Sequence, residues 1–196
     1  MFTKSDVPIG DDLRVSSVPC RAEVNMPLFR RKADTEYEQA AKLLIDGNSR
    51  EAIDMLRQLI LKHPRHTNAM VSLAVALIEQ QERPEKDSPL TREALGLLDK
   101  AATLAPKDAV PLFNKGVCLR DLGMLEDALV CFQAALGIEK KLPLAILHMA
   151  EVNYELGRWE KSIELARLAL MRDPGLEGSM EWVRDAVSKA AGQSRP

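Results

Sequence analysis

The chain reads as all-α, a stack of helical hairpins, and three regularities carry that reading. Small residues at Ala52, Ala94, Ala128 and Ser162 head four matching stretches. Leu56, Leu98, Phe132 and Ala166 follow four residues later, and Leu59, Ala101, Ala135 and Ala169 three further on. This i, i+4, i+7 spacing puts each trio on one face of a helix. Second, the steps from Ala94 to Ala128 and from Ala128 to Ser162 are both 34 residues, and the step from Ala52 to Ala94 is 42, an extra 8. Third, Gly47, Gly123 and Gly157 each stand five residues before their small residue, and Pro64, Pro106 and Pro174 stand twelve after theirs. Glycine suits the end of one helix and proline lies just beyond another. Short apolar runs near the N-terminus are the only strand-like signal.

Taken in order, residues 1–32 form an arm, extended or disordered, that mixes Val7-Pro8-Ile9, Val18-Pro19 and Met26-Pro27-Leu28-Phe29 with charges. Each proline holds its predecessor in extended geometry. Stretched out, the arm would span about 100 Å, enough to lie along its own fold or to enter a second copy. Hairpins are expected at 33–66, at 67–108 with an inserted loop near 81–91, at 109–142 and at 143–176. The insertion, QERPEKDSPLT, holds two prolines and mixed charge and joins the two helices of the second hairpin. In the third hairpin Leu112, Gly116 and Leu119 share a face, and bare Gly116 admits a close neighbour. Phe132 and Ala135 on the partner helix fill the space between hairpins, a large residue set against small ones. Residues 177–191 place Met180, Val183, Val187 and Ala190 on one side and are expected to cap the stack, ahead of a tail at 192–196.

With the best hairpin written LFNKGVCLRDLGMLEDALVCFQAAL, the 34-residue pattern resembles the tetratricopeptide repeat (TPR) family across roughly residues 33–176. The resemblance implies a right-handed superhelical solenoid of about four helix–turn–helix repeats plus a C-terminal capping helix, acting as an interaction scaffold. Departures are Glu36 and Gln39, polar where apolar residues are usual, and Lys140 in place of a closing proline. The first departure suits an end repeat facing solvent.

Composition excludes several classes of function. A formal net charge of −2 supplies no field to recruit nucleic acid or an anionic membrane. No stretch approaches the roughly 20 apolar residues of a membrane span, and MFTKSDVPIGDD lacks the apolar core of a secretory signal. Cytoplasmic residence is the default expectation. Cys20, Cys118 and Cys131 are too few and unpaired in pattern for a disulfide framework, and the latter two read as small core residues. His63 and His66 flank a turn and His148 sits mid-helix; no metal is expected, because a site needs three or four converging ligands. No nucleophile–base set, phosphate-cradling glycine loop or metalloprotease pattern is present, so neither catalysis nor a cofactor is expected.

Function is expected on the first helices. In TPR proteins a stripe one residue beyond the core stripe lines the concave surface. Here the resemblance assigns Asp34, Tyr37, Ala41 and Leu44 to it in the first repeat, and Asn68, Val71, Val75 and Ile78 in the second. The third contributes Val110, Phe113, Val117 and Arg120, the fourth Leu144, Leu147, Glu151 and Tyr154. Twelve of these sixteen are apolar or tyrosine, which points to a groove that holds an apolar peptide or an amphipathic helix of another protein. The alternatives are that the stripe packs within the domain, or that groove or arm engages a second copy and builds a self-assembling scaffold. TPR domains that clamp acidic C-termini use Lys, Arg and Asn, and only Asn68 and Arg120 lie on the stripe, with Asn114 and Lys115 nearby. Size and groove character resemble small bacterial TPR chaperones and assembly factors, including those that shield secretion-system subunits.

Overall fold

The computed structural model describes residues 32–193. The arm expected up to residue 32 lies outside the described residues except for Lys32, and so does the tail beyond residue 193. Helices run α1 Lys32–Ile45, α2 Ser49–Lys62, α3 Thr67–Glu79, α4 Pro89–Leu104, α5 Val110–Asp121, α6 Leu125–Ile138, α7 Pro143–Glu155 and α8 Trp159–Arg172. A 3-10 turn, Pro174–Ser179, and α9 Val183–Gln193 follow. Successive helices pair as hairpins, and each hairpin packs on the next, giving the all-α right-handed solenoid.

Three of the four hairpin turns are the same object. Gly47, Gly123 and Gly157 adopt φ of +80°, +67° and +72°, the left-handed region that glycine tolerates best. The N–H groups of Asn48, Met124 and Arg158 then donate to the carbonyls of Leu43, Leu119 and Asn153, each at 2.8 Å. These bonds satisfy helix-end acceptors that would otherwise be orphaned. Two glycines thus serve different ends: around Gly123 there is open space and conformation alone requires it, whereas Gly116 is required by its neighbour Phe132.

The second hairpin turns without glycine. α4 starts at Pro89, so the connection ends before the expected 91. Pro89 occupies the first turn, where its missing N–H is no loss. Ser88 caps the helix, its Oγ accepting from the Thr91 N–H at 3.0 Å and donating to Gln81 Oε1 at 2.6 Å. Gln81 Nε2 donates to the Leu77 carbonyl at 3.0 Å, which ties both ends of the insertion together.

The repeat register reaches the core directly. Ala52, Ala94, Ala128 and Ser162 are all 0 % exposed, and Leu56, Leu98 and Phe132 are as deeply buried. Core side chains gather in an N-terminal cluster over α1–α4 with Cys118 of α5, and a C-terminal one over Leu119 of α5 and α6–α8, with Leu95 touching both. At the C-terminal end Leu176, Trp182, Val183 and the buried Ala186 close over α8. The capping helix expected from residue 177 begins only at Val183, because Pro174, Gly175 and Gly178 favour a turn there and Asp173 caps it by accepting from the Gly175 N–H at 2.9 Å. At the other end Thr35, Gln39 and Lys42 are exposed on α1, where the equivalent Ala69, Leu73 and Ala76 of α3 are buried. Glu36 pairs with Lys62 at 3.1 Å.

One consequence of the stacking positions the site. First helices lie directly against their successors, α1 on α3, α3 on α5 and α5 on α7. Second helices stand further apart, spanned by long side chains such as the Arg57–Glu93 pair at 2.8 Å. The first helices therefore line the shorter, concave side.

Candidate interaction groove

Close approach of the first helices decides how much of the expected stripe remains open. Val71, Ile78 and Leu147 are only 7 %, 4 % and 2 % exposed. These three were expected in the groove wall; they lie instead within the fold, because α3 and α7 are apolar nearly all round and sit between neighbours on both sides. Tyr37, Leu44 and Val110 are half-buried against the N-terminal cluster, and Phe113, Val117 and Leu144 against the C-terminal one. Val75 and Arg120 are also half-buried, while Asn68 is exposed. Tyr154 serves the cap: its ring lies 5.3 Å from Trp159 and 5.2 Å from Trp182, its hydroxyl bonds Asp185 of α9, and Lys189 stands 4.9 Å above it. The concave face is thus a mosaic. Tyr37, whose hydroxyl lies 3.1 Å from Ser72 Oγ, Leu44 and Val75 make one apolar patch, and Phe113, Val117 and Leu144 another.

Between α5 and α7 stands a polar cluster in which the stripe residues Arg120 and Glu151 meet His148 and Glu155, which lie off the stripe. Arg120 bonds Glu151 through one terminal nitrogen, Glu155 Oε1 through Nε at 2.9 Å, and approaches His148 Nδ1 to 2.9 Å. His148 Nδ1 is also 3.0 Å from Glu151, and the buried imidazole stacks on Phe132 at 5.5 Å and 12°, with the tilted Phe113 ring 5.5 Å away and in contact with both. The signal in the sequence is a cation and two carboxylates spaced close to one repeat, 31 and 35 residues apart.

Electrostatics follow from the packing. Burial acts to raise Glu151, but hydrogen bonding and charge from His148 and Arg120 outweigh it and hold the carboxyl below its ordinary 4.5. Burial likewise raises Asp121, against the opposing charge of Arg120 and His148. For Glu151 the lowered native value means stabilisation present above pH 4.5 and lost as the pH falls through that lowered value. Denaturant titrations from pH 6 to pH 3 should show a decline in stability that Glu151→Gln reduces; an unchanged decline would mean that the cluster contributes nothing.

Burial, aided by Asp121 and Glu79, pushes the Cys118 thiol up to about 12, and burial also raises Cys131 against the pull of Lys115. Both are free thiols, poorly placed for nucleophilic work. His66 caps α3, its Nδ1 accepting from the Ala69 N–H at 3.1 Å, and its ring lies 5.2 Å from Tyr37 at a tilt of 41°. Among the described residues no group of three or more His, Cys, Asp or Glu is placed to hold a metal ion. No helix among them is long and apolar enough to cross a membrane.

Hairpins repeated at a fixed pitch around a concave inner face define a helical-repeat interaction scaffold. Residues 37–86 match the family model of the tetratricopeptide repeat, and the described helices on either side continue the same hairpin pattern. The chain's fold is similar to that of TTC0263, a thermophilic TPR protein of Thermus thermophilus, at a TM-score of 0.70 and 23% identity over 80% of this chain and 82% of that one. A crystal structure of MamA aligns at 0.64 and 16% identity, covering 81% and 82%. MamA residues 41 to the end from Desulfovibrio magneticus RS-1 align at 0.60 and 16% identity, covering 74% and 77%. At these identities the likeness is one of fold. No curated protein matches the chain in sequence.

Proposed function

We propose that the concave face binds a segment of another protein, the chain acting as an adaptor or assembly factor without catalysis of its own. The observation that carries this reading is the pair of half-open apolar patches, Tyr37–Leu44–Val75 and Phe113–Val117–Leu144, set on successive first helices. The ligand that fits is amphipathic, with apolar side chains spaced to meet both patches and polar groups toward Asn68 and Ser72. Each apolar side chain it covers would contribute about 1–2 kcal/mol, less than full burial yields, before ordering losses. The buried Val71, Ile78 and Leu147 shape the floor beneath the ligand and do not touch it.

Peptides selected from a random display library on the full-length chain test this. Val75→Arg and Val117→Arg should each weaken the selected peptides at least 10-fold with the helical circular dichroism unchanged, and Val130→Arg, on the outer helix α6, should not. Equal binding by all three variants would contradict the proposal. If a second copy of the chain is the natural occupant, mass measured by light scattering will rise with concentration, and Val117→Arg will abolish the rise.

A further inference from the structure

The C-terminal end of the concave face holds an ammonium group against two aromatic rings. Tyr154 stands on the inner stripe 34 residues after Arg120, one repeat further along. Its ring lies 5.3 Å from that of Trp159, edge-on, and 5.2 Å from that of Trp182. Lys189 Nζ sits 4.9 Å from the Tyr154 centroid and 4.7 Å from that of Trp159. Both distances fall within the roughly 6 Å over which a ring face attracts a cation. The Asp185 carboxylate, which accepts from the Tyr154 hydroxyl, meets the same nitrogen at 2.5 Å. Rings and carboxylate together make a cation site, and Lys189 is the cation in it.

The rings and their occupant are held by different means. Tyr154 belongs to α7 and Trp159 to α8, and the indole lies over the turn between them, 3.6 Å from where a Cβ on Gly157 would stand. The last hairpin therefore fixes both rings. Lys189 reaches them from α9, on a flexible four-carbon stem. Its side chain and that of Asp185 remain 44 % and 47 % exposed, and exposed ion pairs contribute little to stability. A change of rotamer withdraws Lys189 and leaves two ring faces beside an unbalanced carboxylate. We propose that this is a lysine-binding subsite of the concave face, where the ammonium group of a bound partner segment takes the place of Lys189. The carrier of that ammonium rests on the reading that the concave face binds a segment; the affinity of the rings for an ammonium ion does not. Lysine is the side chain that fits, because the site already holds one.

Tryptophan fluorescence reads this site alone, because the chain's two tryptophans, Trp159 and Trp182, both lie at it. Tetramethylammonium chloride is titrated into the full-length chain against sodium chloride of equal ionic strength. In Lys189→Ala the change should saturate, at a concentration at least 3-fold below that needed with Lys189 in place. Asp185→Asn in the same background should raise the half-saturation point at least 3-fold. A response in Lys189→Ala no different from that to sodium chloride would overturn the subsite. Equal half-saturation with and without Lys189 would overturn the exchange, and an unchanged value in Asp185→Asn would remove the carboxylate from the site. Peptides selected on Lys189→Ala then test the carrier: they should hold a lysine whose replacement by norleucine weakens them at least 3-fold on that chain, and not when Tyr154→Leu is added. Norleucine peptides that bind as tightly would overturn the lysine occupant. Selected peptides that neither Val75→Arg nor Val117→Arg weakens would instead remove the concave-face reading and leave the ammonium titration standing.

Discussion

Phe132→Ala should lower the unfolding free energy by about 3–5 kcal/mol, the range for deleting a fully buried ring. Phe132 is 0 % exposed and lies 5.9 Å from the Phe113 ring and 5.5 Å from His148, with the Gly116 backbone against its edge. Three of its neighbours, two rings and a helix backbone, are stiff and collapse poorly into the space. The damage should also be local. Repeat proteins are stabilised by contacts between adjacent units, and Phe132 belongs to the C-terminal cluster, which meets the N-terminal one at the partly buried Leu95 and along α5, where Cys118 belongs to one and Leu119 to the other. Urea titrations followed by amide exchange should therefore show α5–α8 opening first while α1–α4 keep their protection. Uniform loss throughout the chain would show the two clusters to be one cooperative unit.

Gly116→Ala is the second large effect, and its sign is decided by two opposed magnitudes. In a helix interior alanine is favoured over glycine by about 1 kcal/mol. A Cβ at this position, however, would stand 2.6 Å from Phe132 Cε1, 2.7 Å from Cδ1 and 2.9 Å from Cζ. Overpacking of this kind costs about 1–3 kcal/mol when the neighbour has nowhere to go, and the ring is pinned by His148. The variant should thus lose up to about 2 kcal/mol of stability overall, measured by urea denaturation. In a Phe132→Leu background, which lacks Cε1 and Cζ, the same substitution should become neutral or stabilising. Additive effects of the two changes would mean that the close approach is not what glycine is for.

The repeat register was legible because it is set by contacts within and between hairpins that recur at fixed spacing. A small residue such as Ala94 lets two helix backbones approach, and a large one such as Phe132 fills the gap that remains; both demands fall at fixed positions. The glycine turns were equally legible, since a left-handed residue at Gly123 leaves few other choices. Depth of burial along the inner stripe was not. Periodicity identifies which residues share a face but not how near the next helix comes, and α3 and α7 are apolar on too many sides for one face to stand out. Val71, Ile78 and Leu147 are consequently interior. Tyr154 escaped for another reason: its partners Trp182, Asp185 and Lys189 belong to an element whose docking site has no repeat equivalent. The Arg120–His148–Glu151 cluster was hidden because each member is unremarkable alone, and only the stacking of α5 on α7 brings the three together.

The central claim is that a partner segment lies along the concave face over Tyr37, Val75, Phe113 and Val117. Photo-cross-linking measures this most directly, with benzoylphenylalanine placed in turn at Val75, at Val117 and at the outer-face Val130, which is 63 % exposed. With a library-selected peptide present, adducts should form from positions 75 and 117 and not from 130. Adducts from position 130, with none from the inner helices, would place the ligand on the opposite side of the solenoid and contradict the account.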